Sequence, residues 1–225
     1  MMRTSDPAAL LTPVGDLSVL FVIAAEQEFG PELREQIFAL VTGVGPVEAG
    51  VRTGAALGVL QDRGQLPDLV FSLGTAGSRT LDHAGIYQIA SVSYRDMDAT
   101  PLGFAKGVTP FLGQPSRIDL PHRLPGIPAA SISTGAQIIS GGRYDGIDAD
   151  MVDMETYAVM RAADTNGLPF VGLRGISDGR GELTGLGDWT AYLREIDAKL
   201  AATLRGFEED VKSGRFHLQR TRDAR

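Results

Sequence analysis

The chain has 225 residues, of which 43% are hydrophobic and 22% are charged, and this is the composition of an ordinary globular domain with a full core. Its net charge of −7 argues against nucleic acid or an anionic membrane as the main partner. It contains no cysteine, so disulfides, thiol catalysis and cysteine-ligated metals are excluded. The three histidines are far apart in sequence, so we predict no metal site and no cofactor.

The sequence also bears on where the protein works. The opening stretch MMRTSDPAALLTPVGDL lacks the long apolar core of a signal peptide. No apolar run is long enough to cross a bilayer. We therefore expect a cytoplasmic protein that acts without contact to a membrane.

Short apolar runs rich in β-branched residues predict strands that are buried on both faces. In chain order they span residues 17–25, 37–45, 68–77, 86–94, 129–135 and 170–178. Helical periodicity predicts helices at residues 46–64 and 155–167, and a last helix from about Asp188 to Val211. We therefore predict an α/β fold in which a central, mostly parallel mixed sheet is flanked by helices.

The predicted elements form a single domain, because no linker-like run divides them. We expect this domain to span residues 17–211, with an N-terminal extension at residues 1–16 and a basic C-terminal tail at residues 212–225. The weak pattern of the tail favours a frayed or interface segment over a nucleic-acid arm. In a largely parallel sheet the ligand lies outside the carboxyl ends of the strands, so a site is expected there.

One predicted helix carries a carboxylate on its apolar face. If the helix starts near Glu155, this residue shares a face with four alanine and valine residues between positions 158 and 163. Burying an unpaired charge costs several kcal/mol or forces the group to take a proton. Glu155 must therefore pair with a buried cation, for which Arg174 on the neighbouring strand is the evident candidate, or bind a polar ligand.

Further acidic and small polar residues follow the predicted strands. Glu26 and Glu28 follow the first strand, the sequence GTAGS ends the third, and Asp178 ends the last. Each has an ordinary structural alternative, because Glu28 can stabilise a helix dipole, GTAGS can be a tight turn and Asp178 can cap a helix. Their convergence at one edge of the sheet indicates a site. The sequence GVGPVEAG lacks the Lys and the Ser or Thr of a P-loop, so we assign no nucleotide-phosphate site there.

Seven motifs, taken in order, resemble those of the nucleoside phosphorylase superfamily. They are AAEQEF, VTGVGPVEAG, PDLVFSLGTAGS, YRDMDATPLGF, STGAQII, VDMETYAV and PFVGLRGISD, and the resemblance extends over residues 19–193. Within the superfamily the sequence is most similar to 5′-methylthioadenosine/S-adenosylhomocysteine nucleosidase and next to futalosine hydrolase. The resemblance implies the fold of these enzymes and hydrolysis of a 5′-modified purine nucleoside with release of the free base, as in methionine salvage.

The resemblance also implies a role for each acidic residue. Cleavage of an N-glycosidic bond builds positive charge on the sugar and negative charge on the base, so it needs a proton donor, an activated water and polar contacts to the ribose. By similarity to the family, Asp178 protonates the base and Glu28 activates the water. Met154 packs against the sugar and Glu155 accepts its hydroxyl protons, which would explain the carboxylate on an apolar helix face.

The same resemblance implies which residues surround the base. Thr75 stands where the family has serine in its GSAG turn, and Gly77 ends that turn. Ile138 occupies the position of an aromatic residue that stacks on adenine, and Ile139 follows it. Ala136 replaces an aspartate of the family motif, so the contacts to the base differ from those of the relatives.

The 5′ end of the substrate is expected to lie at a subunit interface. Ala99 and Leu102 match positions that family dimers contribute to the 5′ pocket of the partner subunit. Trp189 covers the same end of the site. The resemblance therefore implies a homodimer whose partner ligand is a small-molecule nucleoside.

The residues bear as well on the choice between water and phosphate as the nucleophile. Phosphorolytic members carry a Gly-Asp-Pro-x-x-Arg loop after the first strand and an arginine just before the turn, whereas this chain has AAEQEF and Ser72 there. A carboxylate repels phosphate and acts as a base toward water, so hydrolysis is favoured. Two alternatives stay open, a phosphorylase that binds phosphate through other residues and a non-catalytic nucleoside-binding module.

Overall fold

The fold is seen in a computed structural model that describes residues 6–218. Its strands are β1 (Leu11–Val14), β2 (Leu17–Ile23), β3 (Leu40–Val41), β4 (Leu69–Gly77), β5 (Ile86–Tyr94), β6 (Arg117–Asp119), β7 (Ala129–Thr134), β8 (Met151–Asp153) and β9 (Phe170–Asp178). Its helices are α1 (Pro31–Arg34), α2 (Pro46–Asp62), α3 (Thr156–Thr165), α4 (Leu186–Thr190) and α5 (Leu193–Lys212). Short 3₁₀ helices lie at Pro7–Leu10, Glu26–Glu28, Thr100–Leu102 and Gly141–Gly146.

The central strands of the sheet pair mostly in parallel. β4 pairs in parallel with β2 and β9, and β7 pairs in parallel with β5 and β8. β9 also pairs antiparallel with β5, and Gly77 at the end of β4 pairs with Val152 of β8, so five strands close into a ring. The antiparallel strands β1 and β6 lie at the two ends of the strand order. The predicted α/β fold with a mixed, mostly parallel sheet is confirmed.

Two hydrophobic cores flank the sheet, because alternate residues of its strands point to opposite faces. On one face the ring centroids of Phe21 of β2 and Phe71 of β4 are 5.3 Å apart, and Phe207 of α5 packs edge-on against Phe71. On the other face Leu20 of β2 and Val70 of β4 pack with residues of α2 and α3. Burial of each of these side chains contributes about 1.5–3 kcal/mol to the stability of the fold. Because the central strands are buried on both faces, their sequences are nearly continuous apolar runs.

Most predicted elements are present, with ends that differ by at most two residues, but two predictions are wrong. The strand expected at residues 37–45 is reduced to β3, because Gly43 and Gly45 have positive φ angles of 89° and 103° that a strand does not accommodate. The helix expected from Asp188 to Val211 is divided into α4 and α5. The interruption is a turn at Ala191 and Tyr192, where the ring of Tyr192 lies 4.8 Å from that of His83.

Three short strands, β1, β6 and β8, were not predicted, because three or four residues are too few to show a period of two. β1 falls within the predicted N-terminal extension and pairs with β2. In the predicted tail, Phe216 is buried and packs edge-on against Phe207 at 5.0 Å. The remainder of these two segments, at 1–5 and 219–225, lies outside the described residues. Within residues 6–218 no helix is both long enough and apolar enough to span a membrane.

Candidate active site

A cavity of about 730 Å³ opens at the carboxyl ends of β4, β8 and β9. Nine of the eleven residues predicted for the site line it: Glu28, Thr75, Gly77, Ile138, Ile139, Met154, Glu155, Asp178 and Trp189. The other two, Ala99 and Leu102, are not among its lining residues, and Leu102 is 74% exposed on the surface of the chain. The volume is in the range of sites that enclose a ligand the size of a nucleoside.

Glu28 is held against the end of β4. Its Oε1 atom accepts hydrogen bonds from the backbone N–H of Thr75 at 2.8 Å and from Thr75 Oγ1 at 2.6 Å. Thr75 lies within β4, so the alternative reading of GTAGS as a tight turn is wrong. Burial raises the pKa of Glu28 above its usual value, and the Thr75 hydrogen bonds oppose this effect. Its Oε2 atom is buried and receives no hydrogen bond from the described part of the chain, which suits a carboxylate that accepts a proton from water.

Glu155 lies at the junction between β8 and α3 rather than on the helix face that was predicted. Its φ of −130° places it just before the helix, which begins at Thr156. Because of this turn the side chain reaches the cavity, where Oε1 accepts a hydrogen bond of 2.7 Å from the N–H of Gly45. Burial, and then the neighbouring charge of Asp153, raises the pKa of Glu155 to about 8. A carboxylate placed in this way can accept hydrogen bonds from ligand hydroxyls.

Asp178 is the last residue of β9 and faces the same cavity. Its Oδ2 atom accepts a hydrogen bond of 2.7 Å from Ser177 Oγ. Burial raises the pKa of Asp178 above its usual value, against the opposing effects of Ser177 and His83. No helix begins at Asp178, because α4 starts after Gly185, so the helix-cap alternative is wrong. A carboxyl group that holds its proton closer to neutrality suits the protonation of a leaving base.

Arg174 of β9 pairs with Asp153 and not with Glu155, so the structural alternative for Glu155 is wrong. Arg174 Nη2 lies 3.1 Å from Asp153 Oδ2, and the two side chains are only 2% and 1% exposed. The same nitrogen donates to Ser72 Oγ at 3.0 Å and to Thr156 Oγ1 at 2.7 Å. Ser72, at the position where phosphorolytic relatives carry arginine, therefore belongs to a closed polar network behind the cavity.

Arg95 is a lining residue that the sequence analysis missed. Its guanidinium donates to the carbonyl oxygens of Asp153 at 2.9 Å, Gly135 at 3.0 Å and Gln137 at 2.7 Å. These bonds tie the end of β8 to the loop that carries Ile138. Arg95 is part of the motif YRDMDATPLGF, but the motif does not show that a charged side chain turns inward onto backbone carbonyls.

Apolar side chains complete the cavity around the carboxylates. Trp189 and Leu186 of α4, Ile138 of the loop after β7 and Val44 before α2 all line it. Trp189 Nε1 donates a hydrogen bond of 3.0 Å to Thr75 Oγ1, which links α4 to the residue that holds Glu28. Expulsion of water by such walls strengthens the electrostatic contacts inside the site.

Three carboxylates with different surroundings thus converge on one cavity. Glu28 has a free buried oxygen, Asp178 holds its proton more firmly than an exposed aspartate, and Glu155 offers acceptor capacity beyond its bond to Gly45. Groups with separated proton affinities are what acid–base cleavage of a glycosidic bond requires. Among residues 6–218, no three histidine or carboxylate side chains are grouped so that they could hold a metal ion.

Comparison with known sequences gives concordant matches. Residues 128–207 match the family model described as Phosphorylase superfamily. A 5′-methylthioadenosine/S-adenosylhomocysteine nucleosidase of Actinobacillus succinogenes is 30% identical in an alignment of 167 positions that covers 66% of this chain and 70% of that protein. A nucleosidase of the same name from Haemophilus influenzae is 29% identical in an alignment of 163 positions that covers 64% of this chain and 69% of that protein.

Comparison with solved structures shows the same fold. A futalosine hydrolase mutant of Helicobacter pylori superimposes with a TM-score of 0.72 at 17% identity, over 85% of this chain and 98% of that chain. The 5′-methylthioadenosine/S-adenosyl homocysteine nucleosidase of the same organism, in complex with a pyrrolidine compound, gives a TM-score of 0.71 at 17% identity, over 85% and 97%.

The α/β fold, a cavity lined by Glu28, Glu155 and Asp178, and the similarity to the nucleosidases together identify a hydrolase that cleaves the N-glycosidic bond of purine nucleosides. The chain belongs to the phosphorylase superfamily, in the family of the 5′-methylthioadenosine/S-adenosylhomocysteine nucleosidases. The predictions of the superfamily and of the enzyme class are therefore confirmed. The alternative of a non-catalytic binding module is set aside.

Proposed function

We propose that this enzyme hydrolyses 5′-methylthioadenosine, S-adenosylhomocysteine or a closely related 5′-modified purine nucleoside and releases the free base. The observation that carries the proposal is the convergence of Glu28, Glu155 and Asp178 on one cavity of about 730 Å³. The descriptions of the relatives from Actinobacillus succinogenes and Haemophilus influenzae support this substrate class.

In the proposed reaction Asp178 acts as the general acid. It transfers its proton to the purine while the bond between C1′ of the ribose and the base breaks, and the bonding electrons leave with the base. Its raised pKa keeps the proton available nearer neutrality than in an exposed aspartate. The base departs as a neutral species, which lowers the barrier that a charged leaving group would face.

Water is the proposed nucleophile, and Glu28 is its base. As the sugar gains positive charge, Glu28 takes a proton from the water whose oxygen bonds to C1′. Met154 packs against the ribose, and Glu155 accepts hydrogen bonds from the ribose hydroxyls and holds the sugar in place. Phosphate is disfavoured here because Glu28 repels an anion and Ser72 stands where an arginine would bind one.

We also infer that the enzyme is a homodimer in which Ala99 and Leu102 of one protomer complete the cavity of the other. Large apolar side chains near these residues are solvent-exposed in the single chain: Leu102 is 74% exposed and Phe111 is 94% exposed. On α2, Val47 is also 71% exposed. Apolar surface of this extent supports an interface between subunits.

Incubation with a panel of nucleosides tests the proposed function. The panel contains 5′-methylthioadenosine, S-adenosylhomocysteine, adenosine and inosine, each with and without phosphate, and free base is quantified by chromatography. We expect base and a reducing sugar to appear from the 5′-modified substrates without phosphate. Turnover that requires phosphate and yields a sugar 1-phosphate would establish the phosphorylase alternative, and inertness toward both 5′-modified substrates would refute the proposed substrate class.

Sedimentation of the protein at micromolar concentration tests the dimer. Leu102→Asp places a charge on the exposed apolar segment and should dissociate the dimer and raise KM. Phe38→Asp, at a residue that is 62% exposed between α1 and β3 and outside both apolar segments named for the interface, serves as the control. A fully active wild-type monomer would contradict both the dimer and the shared cavity.

A further inference from the structure

The hydroxyl of Tyr144 is buried beside Asp178 and has no hydrogen-bond partner among residues 6–218. Tyr144 lies in the 3₁₀ helix Gly141–Gly146, and its ring packs with Ile139 and Val152. Its Oη atom is inaccessible to solvent and forms no hydrogen bond. Burial of an unpaired hydroxyl is costly, and tyrosine hydroxyls in protein interiors are usually bonded, so this one requires an explanation.

Gly77 shows how closely this hydroxyl approaches Asp178. A Cβ atom placed on Gly77 would lie 2.3 Å from Tyr144 Oη and 2.7 Å from Asp178 Oδ1. The two oxygens are therefore at most 5.0 Å apart, the sum of 2.3 Å and 2.7 Å, and a side chain larger than that of glycine at position 77 would clash with both. Asp178 Oδ2 is bonded to Ser177, whereas Oδ1 receives no hydrogen bond from any described residue.

We propose that Tyr144 is a positioning residue for the general acid, whose hydroxyl donates a hydrogen bond to the Asp178 carboxylate as it forms. The proposal rests on the role of Asp178 in the proposed function. While Asp178 is protonated it needs no further donor, which agrees with the unpaired hydroxyl. Once its proton moves to the base, a negative charge is left in a buried place, and Tyr144 is the donor beside it. An interaction that strengthens during proton transfer lowers the barrier rather than the energy of the bound substrate.

The groups around the pair are consistent with this role. Burial, and then the charge of Asp178, raises the pKa of Tyr144 above its ordinary value, so the hydroxyl remains a donor throughout the working pH range. Arg79 and Arg95 face Tyr144 and oppose that shift, and His83 faces Asp178 from the segment before β5. None of these three side chains forms a hydrogen bond to either member of the pair.

Tyr144→Phe removes only the hydroxyl and tests the proposal. We expect kcat to fall by about 10-fold or more, because a hydrogen bond to a charged group is lost, while KM changes little, since Tyr144 does not line the cavity. The alkaline limb of the pH profile should move to higher pH. Loss of a donor to the charged form raises the pKa of Asp178, and the acid works only below that pKa. The melting temperature should stay the same or rise.

A second substrate separates this role from damage to the fold. A 4-nitrophenyl riboside releases 4-nitrophenolate, which leaves without protonation. The variants Tyr144→Phe and Asp178→Asn should therefore both cleave this riboside at close to the wild-type rate. Tyr87→Phe removes a hydroxyl from β5 outside the cavity and should leave the rate of cleavage of both substrates unchanged. Wild-type kcat and pH profile in Tyr144→Phe, or equal losses on both substrates, overturn the inference. If Asp178→Asn keeps wild-type nucleosidase activity, the proposed function itself fails.

Discussion

Asp153 is buried and Glu155, two residues on, is half-buried, and the two carboxyl groups differ in the hydrogen bonds that they receive from the protein. Asp153 accepts a hydrogen bond of 2.6 Å from Thr134 Oγ1 and forms a buried ion pair with Arg174. Glu155 accepts one hydrogen bond, from the N–H of Gly45, and otherwise faces the cavity. The first carboxylate is completed by the protein, and the second has acceptor capacity left for a ligand.

Under the proposed function, this difference separates a carboxyl group that serves the fold from one that serves the reaction. Removing one partner of a buried pair leaves an uncompensated charge, so the fold depends on Asp153. A carboxylate whose partners come with the substrate costs stability in the free enzyme, as is common in active sites. The two residues should therefore respond to the same amide substitution in opposite ways.

Asp153→Asn should produce the largest effect on stability. It keeps the shape of the side chain but leaves the guanidinium of Arg174 without its anion, so we expect a loss of about 3–5 kcal/mol. Urea denaturation measures this loss, with Glu155→Gln as the matched control two residues away. Equal destabilisation by the two substitutions would break the distinction between the carboxylates.

Asp178→Asn should produce the largest effect on activity. The amide cannot donate the proton that the base requires, so kcat should fall by about 100-fold or more while the melting temperature is nearly unchanged. Steady-state kinetics and thermal denaturation of the same preparation measure both quantities. Turnover close to that of the wild type would contradict the assignment of Asp178 as the acid.

Glu155→Gln should lower kcat by about 10-fold or more and leave the melting temperature equal or higher. The pKa of Glu155 is raised from 4.5 to about 8, so the folded state holds this proton more tightly than the unfolded state. The resulting stabilisation is complete below pH 4.5 and is lost as the pH rises through about 8.

Because glutamine does not titrate, the melting temperature of Glu155→Gln should improve relative to the wild type between about pH 5 and about pH 9. Thermal denaturation across this range measures the trend. A large drop in melting temperature with retained activity would assign Glu155 to the fold and remove its role in ribose binding.

Trp189→Phe should have the smallest effect. It keeps an aromatic wall but removes the hydrogen bond from Nε1 to Thr75 Oγ1, so we expect kcat/KM to fall by about 2- to 10-fold. Kinetics with 5′-methylthioadenosine measure the change. Thr75 still holds Glu28 in this variant, and a loss as large as that of Asp178→Asn would show that α4 has a greater part in the site than one hydrogen bond.

The sequence by itself determined the class of fold and singled out three acidic residues that the structure brings to one cavity. The apolar runs of β4, β5 and β9 are long enough to be recognised, because strands buried on both faces are continuously apolar. Glu28, Glu155 and Asp178 stand in motifs beside strand ends, where ligands of largely parallel sheets bind. These signals are local, so they survive without knowledge of the tertiary structure.

Only the tertiary structure decided which charged and polar side chains contact each other. Arg174 was a candidate partner for Glu155 and is instead paired with Asp153, because the chain turns between β8 and α3 and sends the two carboxylates in different directions. The approach of Tyr144 to Asp178 across Gly77 likewise joins segments far apart in sequence. Such contacts depend on side-chain direction at junctions and on the closure of the sheet, and neither leaves a periodic signal in the sequence.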